Sequence, residues 1–155
     1  MSVELKQGDT APLFTLPTDD GEVSLTALRG KPVVLYVYPK DDTSGCTVEA
    51  QDFTRLHKAF EKAGAVVIGL SKDSVKSHAK FRAKYELTHA LASDEALEVL
   101  QAYGLWGEKT LYGRKYMGAE RATFLIDREG RIVQVWRKVK IDGHADAVLK
   151  AATTL

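Results

Sequence analysis

Residues 31–39, "KPVVLYVYP", run almost without a polar side chain between Lys31 and Pro39. Such a continuous β-prone stretch predicts a strand buried on both faces. "AVVIGLS" (65–71) predicts a second one. Between them the period lengthens. Phe53, Leu56 and Phe60 recur at helical spacing, with Gln51, Asp52, Arg55, Lys58 and Glu61 interleaved. This predicts a helix from Thr47 that Gly64 stops. A second helix is expected over 74–85, capped by Ser74 or Asp73 and marked by Val75, Phe81 and Tyr85. "LTHALAS" reads as a short strand, and "DEALEVLQAYG" as a helix closed by Gly104. "PLFTLPTDDGEVSLTAL" alternates about Asp19-Asp20-Gly21, a hairpin signature. "RATFLIDREGRIVQVWRK" is the clearest hairpin, turning at 127–130, and "HADAVLKAATTL" closes the chain as an amphipathic helix.

Strands and helices alternate through the first half, and a hairpin and helix follow. This order implies an α/β protein whose mixed central sheet is flanked by helices on both faces. It is the order of a thioredoxin-like fold with an N-terminal β-hairpin extension. No repeat, linker or low-complexity tract divides the chain. One domain over residues 1–155 is expected, long enough to bury a sizeable core.

Composition narrows the function. Hydrophobic residues make up 45% of the chain, and 22 Lys+Arg face 21 Asp+Glu for a formal charge of +1. That balance gives no electrostatic case for nucleic acid or an anionic membrane. The basic residues near Lys109, Arg114, Lys115 and Arg121 read mostly as a solvated face. No apolar run approaches the roughly 20 residues of a membrane span. "MSVELKQGDTAP" lacks the apolar region of a secretory signal. The expectation is a soluble, cytoplasmic protein.

Cys46 is the only cysteine. A single thiol excludes an internal disulfide, a CxxC redox pair and a thiolate-rich zinc site. No other pairing of His, Cys and carboxylates has metal-ligand spacing. Cys46 stands just past the first buried strand, at the start of the predicted helix. Open α/β sheets commonly bind ligands at that edge. A helix start offers unpaired N–H groups and a positive dipole end. Cysteines so placed ionise at pKa values of about 3.5–7.5, against about 8.5 when free. The polar neighbours Thr43, Ser44 and Thr47, with Gly45, favour a reactive thiol over a small buried hydrophobe.

Pro39, Thr43 and Cys46 also fit the P-x-x-x-T-x-x-C motif of peroxiredoxins, and "YPKDDTSGCTVEA" resembles the peroxiredoxin Q, or bacterioferritin comigratory protein, subfamily. The resemblance continues through "GDTAPLFTLPTDDGEVSL", "KAGAVVIGLSKDSVKSH" and "YGLWGEKTLYGRKYMGAERATFLID". It implies that Cys46 is the peroxidatic nucleophile and that the Thr43 hydroxyl bonds thiolate and peroxide. It also implies that Pro39 shields the pocket and that Arg121 polarises the peroxide. Taken alone, Thr43 reads as a helix N-cap, with Ser44 competing, Pro39 as a strand end and Arg121 as a surface charge. Glu49 reads as a complement to the helix dipole that also could orient Arg121, and is left outside the catalytic set. The family activity is reduction of hydrogen peroxide and organic hydroperoxides without metal or organic cofactor. Members are often monomers and sometimes dimers.

Two positions depart from the pattern. Many members carry a second, resolving cysteine. The matching positions here are Gln51 and Arg82, so the chain resembles a one-cysteine variant. Its sulfenic acid would be resolved from outside, by thioredoxin, glutaredoxin, glutathione or a second copy's Cys46. Ser44 stands where proline is usual, trading a pre-set turn for a possible cap. Other readings are a Cys-His hydrolase or acyl transferase and a non-turnover redox sensor or binding module. Of the histidines, His57 shares the helix with Cys46 but lies about three turns away. His78, His89 and His144 could approach only through the fold. Trp106, Tyr112 and Tyr116 are expected to pack a loop, or else to line a partner surface.

Overall fold

The computed structural model describes residues 4–155; the first three residues of the N-terminal segment lie outside the described residues. The hairpin comes first, with β1 (Thr15–Thr18) pairing antiparallel with β2 (Gly21–Ser24) across Asp19-Asp20. Then follow β3 (Val33–Val37), α1 (Ser44–Arg55), α2 (His57–Lys62), β4 (Val66–Ser71), α3 (Val75–Tyr85) and β5 (Ala90–Ser93). The remaining elements are α4 (Glu98–Ala102), β6 (Trp106–Leu111), β7 (Arg114–Ala119), β8 (Ala122–Ile126), β9 (Ile132–Arg137) and α5 (His144–Ala152). The main sheet has the order β5-β4-β3-β8-β9, with β3, β4 and β5 parallel and β8 and β9 antiparallel to their neighbours. Among the described residues no helix is long and apolar enough to cross a membrane.

Strand alternation divides the interior into two cores. Val33, Leu35 and Val37 point to one, with Ile68, Leu70, Phe124 and Ile126, beneath Leu100 of α4 and Phe14 before β1. Val34, Tyr36 and Tyr38 point to the other, with Phe53 of α1, Phe60 of α2, Phe81 of α3 and Val148 of α5. All five residues of β3 are buried, as its unbroken apolar run requires. The tyrosines that interrupt this apolar pattern carry hydroxyls, and both are paired: Tyr36 with His89 Nε2 and Tyr38 with Asp41 Oδ1. Neither leaves a polar orphan in the core.

The Tyr36 ring lies over Gly69 of β4. A Cβ at Gly69 would come within 2.8 Å of the ring and 3.1 Å of Leu91 Cδ2. Both neighbours are fully buried and cannot yield. Gly69→Ala is therefore expected to destabilise the fold by about 2 kcal/mol, as overpacking does. A urea midpoint equal to the parent's would contradict this.

Three elements differ from expectation. The helix after Cys46 begins at Ser44, and it breaks at Leu56 (φ −95°, ψ 3°) instead of running to Gly64. No residue there is a breaker; the second segment re-aims onto β4 and α5 while Phe53 and Phe60 both stay fully buried. The helix before Gly104 is short. Leu97 is left-handed, and the Asp94 carboxylate caps the Leu100 N–H at 2.8 Å, so only five residues close as helix. The segment 106–119 is a two-stranded hairpin, not a loop. Tyr112 and Gly113 have φ of 51° and 75°, the paired positive values of a tight two-residue hairpin turn.

Candidate active site

β3 delivers the chain to the site. After Tyr38 the backbone passes through Pro39 and Lys40 to Asp41, Asp42 and Thr43, then enters α1. This loop is fastened to α3. The Asp41 carboxylate accepts from Tyr38, from the Ser77 hydroxyl at 2.8 Å, and pairs with His78 at 2.7 Å. Asp42, left-handed at φ 58°, accepts from Tyr85 at 2.6 Å and Lys84 at 2.9 Å. The two aspartates thus hold the loop in place.

Thr43 is the N-cap in backbone terms, extended at φ −92° and ψ 155°, and its carbonyl accepts the first helical bond from Thr47 N at 2.9 Å. The N–H groups of Ser44, Gly45 and Cys46 precede that bond, so the positive end of α1 surrounds the sulfur. Cys46 is 1% exposed. Arg121 reaches it from the far side of the sequence because Val37 of β3 pairs with Ala122 of β8. That register sets Arg121 at the sheet edge where the 39–46 loop emerges.

Arg121 Nη2 lies 3.2 Å from Cys46 Sγ, and Nη1 lies 2.6 Å from Glu49 Oε1. Glu49 sits one turn after Cys46 on the same helix face. A planar guanidinium thus bridges sulfur and carboxylate. Gly45 makes room: a Cβ there would meet Ile141 Cδ1 at 3.0 Å and Arg121 Nη2 at 3.4 Å. Burial works against the charge on Arg121, but Glu49 and Cys46 outweigh it and hold the guanidinium above its ordinary range. Burial pushes the Glu49 carboxyl up to about 7 despite Arg121. Its Oε2 is buried and makes no hydrogen bond with the described residues. His144, held down to about 4 by burial and the Arg121 charge, is neutral beside this group.

Of the four expected site residues, Cys46 and Arg121 are in direct contact. Thr43 and Pro39 stand on the loop between β3 and α1. The Thr43 hydroxyl donates to Lys40 O at 3.0 Å, not to sulfur, and makes no cap bond. Pro39 is half-buried at the end of the β3 run. Glu49, left outside the catalytic set and read as a dipole complement that could also orient Arg121, does hold the guanidinium. Its signal was the three-residue spacing from Cys46.

Among the described residues no histidine hydrogen-bonds Cys46. His57 pairs with Thr88, His78 with Asp41, His89 with Tyr36 and Thr54, and His144 with Thr123. Arg82, where the resemblance places a second cysteine, is a structural clamp. It bonds Asp19 at 2.6 Å and 3.1 Å, Leu87 O at 2.7 Å and His89 O at 2.9 Å. Gln51 is exposed on α1.

The AhpC/TSA family pattern matches residues 7–135. A putative peroxiredoxin Bcp of Coxiella burnetii is 54% identical over 150 residues, covering 96% of this chain and 98% of that one. Peroxiredoxin Bcp of Bacillus subtilis is 45% identical over 151 residues, covering 97% and 95%. Among solved structures, the Xanthomonas campestris bacterioferritin comigratory protein superposes with a TM-score of 0.87 at 44% identity, covering 99% of this chain and 98% of its own. A Xylella fastidiosa peroxiredoxin Q mutant gives 0.92 at 38% identity, covering 98% of both chains. The mixed sheet, its helices and the N-terminal hairpin are thus the thioredoxin-like peroxiredoxin architecture. With its one cysteine at the start of α1 and this likeness along nearly its whole length, the chain belongs to the AhpC/TSA family, in its peroxiredoxin Bcp (peroxiredoxin Q) branch.

Proposed function

We propose that this protein is a one-cysteine thiol peroxidase of the cytoplasm, reducing hydrogen peroxide and organic hydroperoxides. The observation that carries the reading is the 3.2 Å contact between Arg121 and the Cys46 sulfur at the first turn of α1. The Xanthomonas relative was solved in work on its alkyl peroxide reduction activity.

In the reaction the Cys46 sulfur attacks one peroxide oxygen, the O–O bond breaks, and the other oxygen leaves with a proton as water or alcohol. Negative charge moves from sulfur onto the leaving oxygen. Arg121 and the free N–H groups at the start of α1 are fixed donors along that path, and such preorganised donors lower the barrier. Thr43 has a hydroxyl oxygen that still can accept while it donates to Lys40. Pro39 contributes a ring without an N–H at the end of β3, where it limits water. Cys46 becomes a sulfenic acid. With no other cysteine in the chain, an external thiol must restore it: thioredoxin, glutaredoxin or glutathione. A single chain holds Cys46, Thr43, Pro39 and Arg121, the groups named for the peroxide step.

Intact-mass measurement tests this. One equivalent of peroxide is expected to add one oxygen atom, trapped at Cys46 by a sulfenate-specific diketone. Excess peroxide without thiol should advance the same sulfur to sulfinic acid and end activity. With added thiol, turnover should persist. A chain that gains no oxygen, or gains it elsewhere, would falsify the assignment.

A further inference from the structure

Beside the active site lies a cleft of about 590 Å³ that no step above uses. Its walls include the base of the β6–β7 hairpin (Trp106, Glu108 and Lys109), the strand-end residues Lys138 and Val139, and Glu120 with Arg121. It is far larger than a peroxide needs and lies in the range of sites for ligands of tripeptide size.

Its charge is one-sided in effect. Glu120 is already occupied, bound twice by Arg137 at 2.7 Å and 2.9 Å. Glu108 also lines the cleft, and its carboxylate is paired with Lys115 at 3.7 Å. Lys109 donates to the Ala119 carbonyl, and Lys138 makes no side-chain bond; neither ammonium has a carboxylate partner among the described residues. Lys138 is set in place by its backbone. It adopts a left-handed φ of 48°, and its N–H is held by Glu120 Oε2 at 3.3 Å. That conformation is disfavoured for lysine, and such strain tends to persist at functional sites. Beyond the two ammonium groups lies Arg121, whose Nη2 touches the sulfur.

We propose that this cleft binds a low-molecular-weight thiol bearing carboxylates, and so selects the reductant that restores Cys46. The inference rests on the peroxidase reading above. Lys109 and Lys138 take the carboxylates, Trp106 offers an apolar face, and the thiol points past Arg121. The incoming thiolate then bonds to the Cys46 sulfur while the S–O bond breaks. The oxygen, which already carries the sulfenic acid's proton, takes up the proton released by the thiol and leaves as water. A second equivalent of the thiol attacks the mixed disulfide and frees Cys46, so two thiols are oxidised to one disulfide for each sulfenic acid reduced.

The test separates this claim from the reading beneath it. The chain is first oxidised with one equivalent of peroxide and the sulfenic acid confirmed by mass; failure at that stage removes the peroxidase reading itself. Restoration is then timed with glutathione and with its diester, which keeps the sulfur and loses both carboxylates. Glutathione is expected to react about tenfold faster, as two exposed ion pairs of ordinary strength allow. Raising the salt to about 0.5 M should shrink the advantage. In Lys138→Glu and in Lys109→Glu the ratio of the two rates should fall about fivefold or more. Because the ratio is read within one chain, a general loss of folding or reactivity cancels. Equal rates for the two thiols in the parent, or a ratio unmoved by both substitutions, overturns the proposal.

Discussion

Arg121→Ala is expected to lower the second-order rate constant for peroxide by about 10²–10³-fold, the largest loss short of removing the sulfur itself. A single preorganised donor facing developing charge contributes about that much, or about 3–4 kcal/mol. The geometry supplies the reasons. One guanidinium nitrogen is 3.2 Å from sulfur and another is held 2.6 Å from Glu49, so the group needs no reorganisation when peroxide arrives. The backbone is also pinned, with the Arg121 carbonyl accepting from Val139 N at 3.3 Å. Arg121→Lys should recover little. An ammonium is a point charge and cannot span Glu49 and Cys46 as the planar fork does. Stopped-flow oxidation under single-turnover conditions reads the rate directly. A loss of less than about threefold in Arg121→Ala would remove the guanidinium from the mechanism.

The sequence carried the strands that pass through the core and missed what depends on distant partners. The runs at 33–37 and 66–71 were legible because burial on both faces leaves no room for polar side chains. Cys46 was legible because a strand-to-helix junction has a local signature. Arg121 was not legible from its surroundings. Its role depends on the pairing of Val37 with Ala122, a contact between distant parts of the chain, and only the family resemblance pointed to it. Asp41 and Asp42 lie in the turn between β3 and α1. Their carboxylates fix the 39–46 loop to α3 through His78, Ser77, Lys84 and Tyr85. The 106–119 hairpin escaped notice because its strands mix Glu, Lys and Thr with the apolar positions, and tyrosine is an uncommon first residue for that turn. Its exposed Leu111, Tyr112, Tyr116 and Met117 lack the inward alternation that makes a strand readable.

Glu49→Gln should make the protein more stable at pH 8, by about 3 kcal/mol, while leaving stability near pH 4.5 almost unchanged. Burial raises the Glu49 carboxyl from an ordinary 4.5 to about 7, with Arg121 opposing the rise. The unfolded chain therefore releases this proton near 4.5 and the folded chain near 7. Between those values the folded state binds more protons, so stability falls as pH rises through the window and levels off above it. A carboxylate with a depressed pKa would do the opposite. The displacement corresponds to about 3 kcal/mol. The buried Oε2, with no hydrogen-bond partner among the described residues, is where the ionised form is least well satisfied. Glutamine keeps the shape and still offers a carbonyl to Arg121, but it does not ionise. Its neutral amide holds the guanidinium less firmly, so the gain in stability should come with slower peroxide reduction, an exchange of the kind active sites impose. Urea unfolding of both chains at pH 5 and pH 8 gives the comparison, and the difference between the chains cancels the other titrating groups. If the parent is the more stable of the two at pH 8, Glu49 is ionised without penalty, and Arg121 and Glu49 form an ordinary stabilising pair.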